Sequence, residues 1–110
     1  MLELQRRLQH EFSNAALLTQ ALTHRSFSAD HYERLEFLGD RVLGLVISDE
    51  LFRRFPHLDE GGMTQRFHNI VSLAACARSA RRMELGKYVV MSPAQASAGG
   101  ASASGILGDA

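Results

Sequence analysis

The uninterrupted run from His31 to Phe55, HYERLEFLGDRVLGLVISDELFRRF, constrains the fold more than any other part of the chain. It predicts one long helix that starts near Asp30 to Tyr32 and stops before Pro56, since proline lacks a backbone donor and disfavours a helical residue in front of it. Glu33, Glu36 and Asp40 fall at i, i+3 and i+7, so at about 100° per residue they share a sector of roughly 60°. Leu35, Leu38, Val42, Leu45 and Val46 take the roughly opposite side, and Leu43, Ile47 and Leu51 fill the remaining directions. A helix apolar nearly all round is expected inside the domain. Carboxylates clustered on it repel one another and resist desolvation, so the site calls for a positive occupant, an arginine or a divalent cation. Gly39 and Gly44 each cost the helix about 1 kcal/mol relative to alanine. Their presence predicts close approach by another backbone or a partner chain.

The flanking sequence reads as further helices. Residues 2 to 12 place Leu2, Leu8 and Phe12 at near-helical spacing, and Ser13 or Asn14 is positioned to cap a second helix ending near Thr23. THRSFSADH lacks periodicity and reads as a loop. Beyond Pro56, Asp59 is a cap candidate, and Met63, Phe67, Ile70, Val71, Ala74, Ala77 and Ala80 predict one long amphipathic helix to about Met83. Glu84 to Tyr88 reads as its exit turn. AQASAGGASASG, dominated by alanine, serine and glycine, reads as a flexible loop, and GILGDA as the start of another helix. The fold class expected is therefore all-α.

With 110 residues, the chain suffices for one domain with a single core. Twelve basic and twelve acidic residues cancel, so no global field draws a polyanion, and affinity for one needs a local patch or metal ions. The local basic groups are Arg53 with Arg54, and Arg78 with Arg81 and Arg82. The single Cys76 cannot form an internal disulfide, which fits a reduced, cytoplasmic setting. No apolar run has the length of a membrane span, and MLELQRRLQHEF lacks the order of a signal peptide. None of His10, His24, His31, His57 and His68 forms a recognisable metal pair.

The run ERLEFLGD, Glu33 to Asp40, followed by Val42 and Leu43, resembles the signature of the ribonuclease III endonuclease domain. ALTHRSF at Ala21 to Phe27, LFRRFP at Leu51 to Pro56, DEGGMTQR at Asp59 to Arg66, LGKYV at Leu85 to Val89 and ILGD at Ile106 to Asp109 resemble the family in order and spacing. The resemblance implies an all-helical endonuclease domain over residues 1–110. It implies a homodimer that cuts double-stranded RNA with magnesium, leaves a 5′-phosphate and a short 3′ overhang, and processes rRNA and mRNA precursors. By position, Glu36, Asp40 and Asp109 are implied metal-site carboxylates, with Asp40 and Glu36 as catalytic residues. Glu33 and Glu60 match acidic positions lining the RNA valley, and Phe37 matches an aromatic that inserts into the other subunit. His24 beside Arg25 also matches a family motif, with a structural role.

Three departures accompany the resemblance. The family's final glutamate is expected roughly one helical turn beyond Asp109, past the last residue, Ala110. Ala94 to Gly105 carries no basic residue, and there is no space for a double-stranded-RNA-binding domain. The expectation is an amino-terminal part of a longer ribonuclease III, lacking its last helices. The alternatives are a catalytically inactive RNA-binding relative and a helical dimerisation module whose acidic stripe pairs with Arg34, Arg41 or Arg66.

Overall fold

The computed structural model describes residues 1–110. Seven α-helices follow in order: α1 Leu2–Leu8, α2 Ala15–Ala21, α3 Glu33–Arg54, α4 Glu60–Val71, α5 Leu73–Arg82, α6 Pro93–Ser97 and α7 Ser104–Asp109, with short 3-10 turns at Leu85–Lys87 and Gly100–Ser102. No strand forms; the one β-like feature is an isolated parallel bridge between Thr23 and Val90. No helix is long and apolar enough to cross a membrane.

Local chemistry sets most of the boundaries. The Asn14 side chain accepts from the Ala16 N–H at 3.1 Å and that of Asp59 from the Gly62 N–H at 2.8 Å, so both expected caps form. The first helix ends earlier than its apolar spacing suggests: Gln9 adopts a left-handed conformation at φ 55°, and the Gln5 side chain accepts from the Phe12 N–H at 2.9 Å, turning the chain. The helix expected from Met63 to Met83 is instead two. Ser72 is extended, at φ −60° and ψ 153°, and its hydroxyl accepts from the Ala75 N–H, ending α4 and capping α5.

The alanine, serine and glycine tract is not a plain loop either. Ser92 caps α6 by accepting from the Gln95 N–H, with Pro93 in the first turn where its missing donor costs nothing. Gly100 is buried, and a Cβ there would sit 2.7 Å from Met91 Sδ and 2.8 Å from the Gln95 carbonyl oxygen. Small residues let this segment pack closely.

The core joins α1, α2, α5, α7 and the turn after α5, through Leu4, Leu18, Leu22, Ala77, Ala80, Leu85 and Leu107. The central helix α3 is largely outside it, contrary to its apolar pattern. Only Leu51 of α3 is buried, whereas Phe37 is 63% exposed, Leu38 60%, Leu45 72% and Phe52 71%. The physical reason is a lack of neighbours: α3 packs mainly against α4, and the molecule measures 49 × 32 × 24 Å. Its radius of gyration, 15.5 Å, exceeds the roughly 13 Å of a compact chain of this length. The two glycines of α3 are not explained within one chain. A Cβ at Gly39 would meet nothing within 4 Å, and one at Gly44 would make ordinary contact, 3.5 Å, with the Phe67 ring.

Candidate active site

The first turns of α3 and the end of α7 meet at one place. Helix α7 has six residues, too few to persist alone, so its position comes from packing. Ile106 and Leu107 bury their side chains, and Gly108 comes so close to Leu73 that a Cβ would lie 3.1 Å from the Leu73 carbonyl oxygen. Arg81 of α5 donates to the Ser102 carbonyl oxygen at 3.1 Å and to the Ser104 hydroxyl at 2.7 Å, fixing the start of α7. Arg81 is therefore a clamp rather than part of a free basic patch.

This anchoring brings Asp109 against Glu36. The Glu36 carboxyl is held above its ordinary value, first by desolvation, then by the negative charge of the neighbouring Asp109, then by Asp40 and Glu33. Neither Glu36 nor Asp109 has an ion-pair partner. Asp40 borders the same cavity, of about 480 Å³, one turn further along α3. Its carboxylate lies 3.6 Å from Arg41, and both side chains are largely exposed. Glu36 and Asp109 thus form a pair, with Asp40 adjacent, but no three acidic, histidine or cysteine side chains converge at metal-ligating geometry.

The remaining sequence candidates separate. Glu33 stands at the start of α3, 3.7 Å from Arg25, and borders a second cleft that Glu36 also lines. Glu60 is not brought to the acidic cavity; it begins α4 and lines a different depression with Leu51, Phe52 and Phe67. Phe37 faces outward, with the Arg41 guanidinium 4.1 Å above its ring. Arg66 stacks on Phe55 instead of neutralising the stripe, and Arg34 pairs with no carboxylate.

Sequence reasoning missed Tyr32. It immediately precedes α3, is 5% exposed, and lines both clefts beside Glu36 and Asp109. Burial first, then the charges of Asp109, Glu36 and Glu33, push its phenol up to about 12, so it stays a neutral donor at neutral pH. Its position four residues before Glu36, on the same helix face, was the available signal.

The donor set suits a hard divalent cation. The acid pair offers oxygen ligands, neither of its carboxylates is ion-paired within the protein, and magnesium retains several waters and needs few carboxylates.

A model of the Ribonuclease-III-like family matches residues 14–110. Among curated proteins, Ribonuclease 3 of Bordetella petrii is 50% identical over 107 residues, covering 97% of this chain and 42% of the relative. Ribonuclease 3 of Photobacterium profundum is 45% identical over 106 residues, covering 96% and 47%. A crystal structure of the nuclease domain of ribonuclease III from Campylobacter jejuni superposes with a TM-score of 0.94 at 38% identity, covering 99% of this chain and 75% of that one. A second structure of that domain, described for flexibility in its region involved in dimer formation, gives 0.95 at 39%, covering 97% and 76%. The chain spans less than half the length of these curated relatives.

Proposed function

The chain belongs to the ribonuclease-III-like family, and from that premise we propose that it supplies the catalytic carboxylates of a magnesium-dependent endonuclease that cuts double-stranded RNA. The observation that carries the reading is the meeting of Asp109 with Glu36 across two helices far apart in sequence, neither carboxylate being ion-paired within the protein. Glu36, Asp109 and Asp40 would hold magnesium, with Asp40 and Glu36 as the catalytic residues. Bound there, the ion supplies an activated water and stabilises charge on the phosphoryl and leaving oxygens.

The chain's own residues do the rest. Tyr32 walls the acid pair from the core, and Arg81 with Leu107 holds α7 so that Asp109 stays in place. Glu33 and Glu60 assist along the RNA valley, Glu33 beside the acid pair and Glu60 further off at the start of α4. Phe37 and the exposed apolar side of α3 form the surface for a second copy, and two symmetry-related sites then cut both strands of a duplex read by its shape. The substrates are rRNA and mRNA precursors, in the cytoplasm.

The test incubates this chain, and a version extended to the length of its curated relatives, with long duplex RNA and magnesium or chelator. Short duplex products from the extended version, lost in Asp40→Asn, are expected. No products, with Asp40→Asn indistinguishable, would favour the second reading, a noncatalytic module, to which the unclosed carboxylate triad lends support. Sedimentation of Phe37→Ala tests the dimer: a shift towards monomer is expected.

A further inference from the structure

Next to the acid pair lies a second cleft of about 460 Å³, which shares Tyr32, Glu36 and Asp109 with the acidic cavity but adds His24, Arg25 and Gln95. Its hydrogen bonds fix a detail that the loop sequence THRSF does not reveal. Ser92 N–H donates to Ser26 Oγ at 2.9 Å, so that oxygen is already an acceptor. Ser26 Oγ lies 2.8 Å from His24 Nδ1, and the Ser26 backbone N–H donates to the same nitrogen at 3.1 Å. A nitrogen that receives a backbone N–H cannot carry a proton, so Nδ1 is the acceptor and Ser26 Oγ–H its second donor. The neutral ring therefore carries its proton on Nε2.

Further contacts tie the loop to its surroundings. His24 N–H donates to the Val90 carbonyl at 2.8 Å, Tyr32 N–H to the Thr23 carbonyl at 3.0 Å, and the His24 ring meets the Tyr32 ring edge-on with centroids 6.0 Å apart. Arg25, beside it, has only Glu33 as an ionic partner, at 3.7 Å, outside hydrogen-bond range, and is 72% exposed. One fixed ring donor and one guanidinium with only a long ionic contact thus border a cleft that Glu33, Glu36 and Asp109 also line. A bound anion needs donors there, whereas a cation is served by the carboxylates.

We propose that this cleft is a phosphodiester subsite, in which the Arg25 guanidinium and the His24 Nε2–H hold a backbone phosphate of the strand at the acid pair, and Ser26 is the positioning residue that keeps the proton on Nε2. The assignment rests on the nucleic-acid reading above. It divides the polar residues into a carboxylate half that takes the metal and a donor half that takes the phosphate. A guanidinium and a ring N–H both match phosphate oxygens, and contacts of this kind fix position without reading sequence.

Two measurements on the whole chain test it. Long-range proton–nitrogen NMR spectra should show His24 in the Nε2–H form, and Ser26→Ala, which removes the hydroxyl from Nδ1 and the Ser92 anchor that holds the turn so that the backbone N–H no longer stays on the ring, should admit a mixture; an Nδ1–H ring in the unaltered protein overturns the proposal. Binding of a short RNA duplex in magnesium, followed by fluorescence anisotropy, should weaken about tenfold in Arg25→Ala and in His24→Ala, with His24→Gln recovering part of the loss. Arg25→Ala should also reduce the slope of log affinity against log salt by about 0.7 to 0.9, while His24→Ala leaves it unchanged. The stabilisation of either variant by magnesium alone should match that of the parent, since the acid pair is intact. If the unaltered chain binds duplex RNA and both alanine variants bind it equally well, the subsite is refuted and the nuclease reading stands. If the unaltered chain stabilises with magnesium but binds no RNA, the nucleic-acid reading fails and the subsite falls with it.

Discussion

Replacing Leu107 by alanine should do more damage to the metal response than to the fold. Leu107 is 3% exposed and belongs to the core, so the change removes buried methyl groups at a cost of about 2 to 5 kcal/mol. The lower half of that range applies, because Leu107 also borders the open acidic cavity, whose walls can shift or admit water. At an unfolding entropy near 2.1 cal/mol/K per residue, 1 kcal/mol corresponds to about 4 °C in a chain of this size, so Tm should fall by roughly 10 °C. The local effect is larger, since six-residue α7 has no independent stability and carries Asp109. Leu4→Ala is the control: Leu4 is fully buried in α1, lines no part of the acidic cavity, and should cost at least as much. Thermal melts with and without magnesium decide it. Leu4→Ala should melt lower but keep its magnesium-induced rise, whereas Leu107→Ala should lose most of it. A loss below about 1 kcal/mol in Leu107→Ala, or equal magnesium responses in the two variants, would refute the claim that packing delivers Asp109.

Other substitutions follow from the same geometry. Glu36→Gln should raise Tm at neutral pH without divalent ions. A carboxyl whose folded pKa is raised favours the fold below its unfolded pKa and loses that advantage as pH rises through the folded one, so removing the charge removes the penalty. The same variant should lose stabilisation by magnesium; an unchanged melt in both conditions would count against a strained pair. Gly86→Ala should destabilise by about 1 to 3 kcal/mol in urea unfolding, because its Cβ would run into the Ala101 carbonyl oxygen, whereas Gly39→Ala, with nothing near, should stabilise the isolated chain by about 0.8 to 1 kcal/mol. Glu84 sits below its ordinary 4.5 because Arg7, then Lys87, hydrogen-bond to it. Its contribution is complete above the unfolded value and is lost as pH falls through the lower folded one, so Glu84→Gln should flatten the melting profile below about pH 4.5 and leave less salt dependence.

What the sequence could disclose depended on whether the signal was local. Asn14 and Asp59 were readable as caps because a cap involves neighbours two or three residues away, and Pro56 as a stop for the same reason. Ser72 was equally local, yet the apolar spacing of Ile70, Val71, Ala74 and Ala77 runs through it in phase, and a continuous period outweighs one hydroxyl until the backbone is seen to turn. Composition misled at Ala94 to Gly105: few large side chains suggested slack chain, whereas buried Gly100 shows that smallness serves close packing there. The cleft formed by His24, Arg25 and Gln95 depended on Ser92 reaching Ser26 across 66 residues, which no spacing rule encodes.

The apolar side of α3 is exposed although its sequence pattern is that of a buried helix. Hydrophobic periodicity reports that a face wants cover but not whether the cover comes from the same chain, so the inference from an all-round apolar helix to a buried one failed while the pattern was read correctly. Leu38 and Leu45 lie roughly 140 to 180° around the helix from Glu36 and Asp40. A body docked against them covers the apolar side and leaves the acid cavity open to solvent, with Phe37 on the border between the two. One helix can therefore serve assembly and chemistry at once, and the two are separable by mutation: Leu45→Asp should abolish association without altering the metal response, and Glu36→Gln should do the reverse. If Leu45→Asp removed the magnesium response of the single chain, the acid site would depend on a partner, and the separation of faces argued from α3 would be wrong.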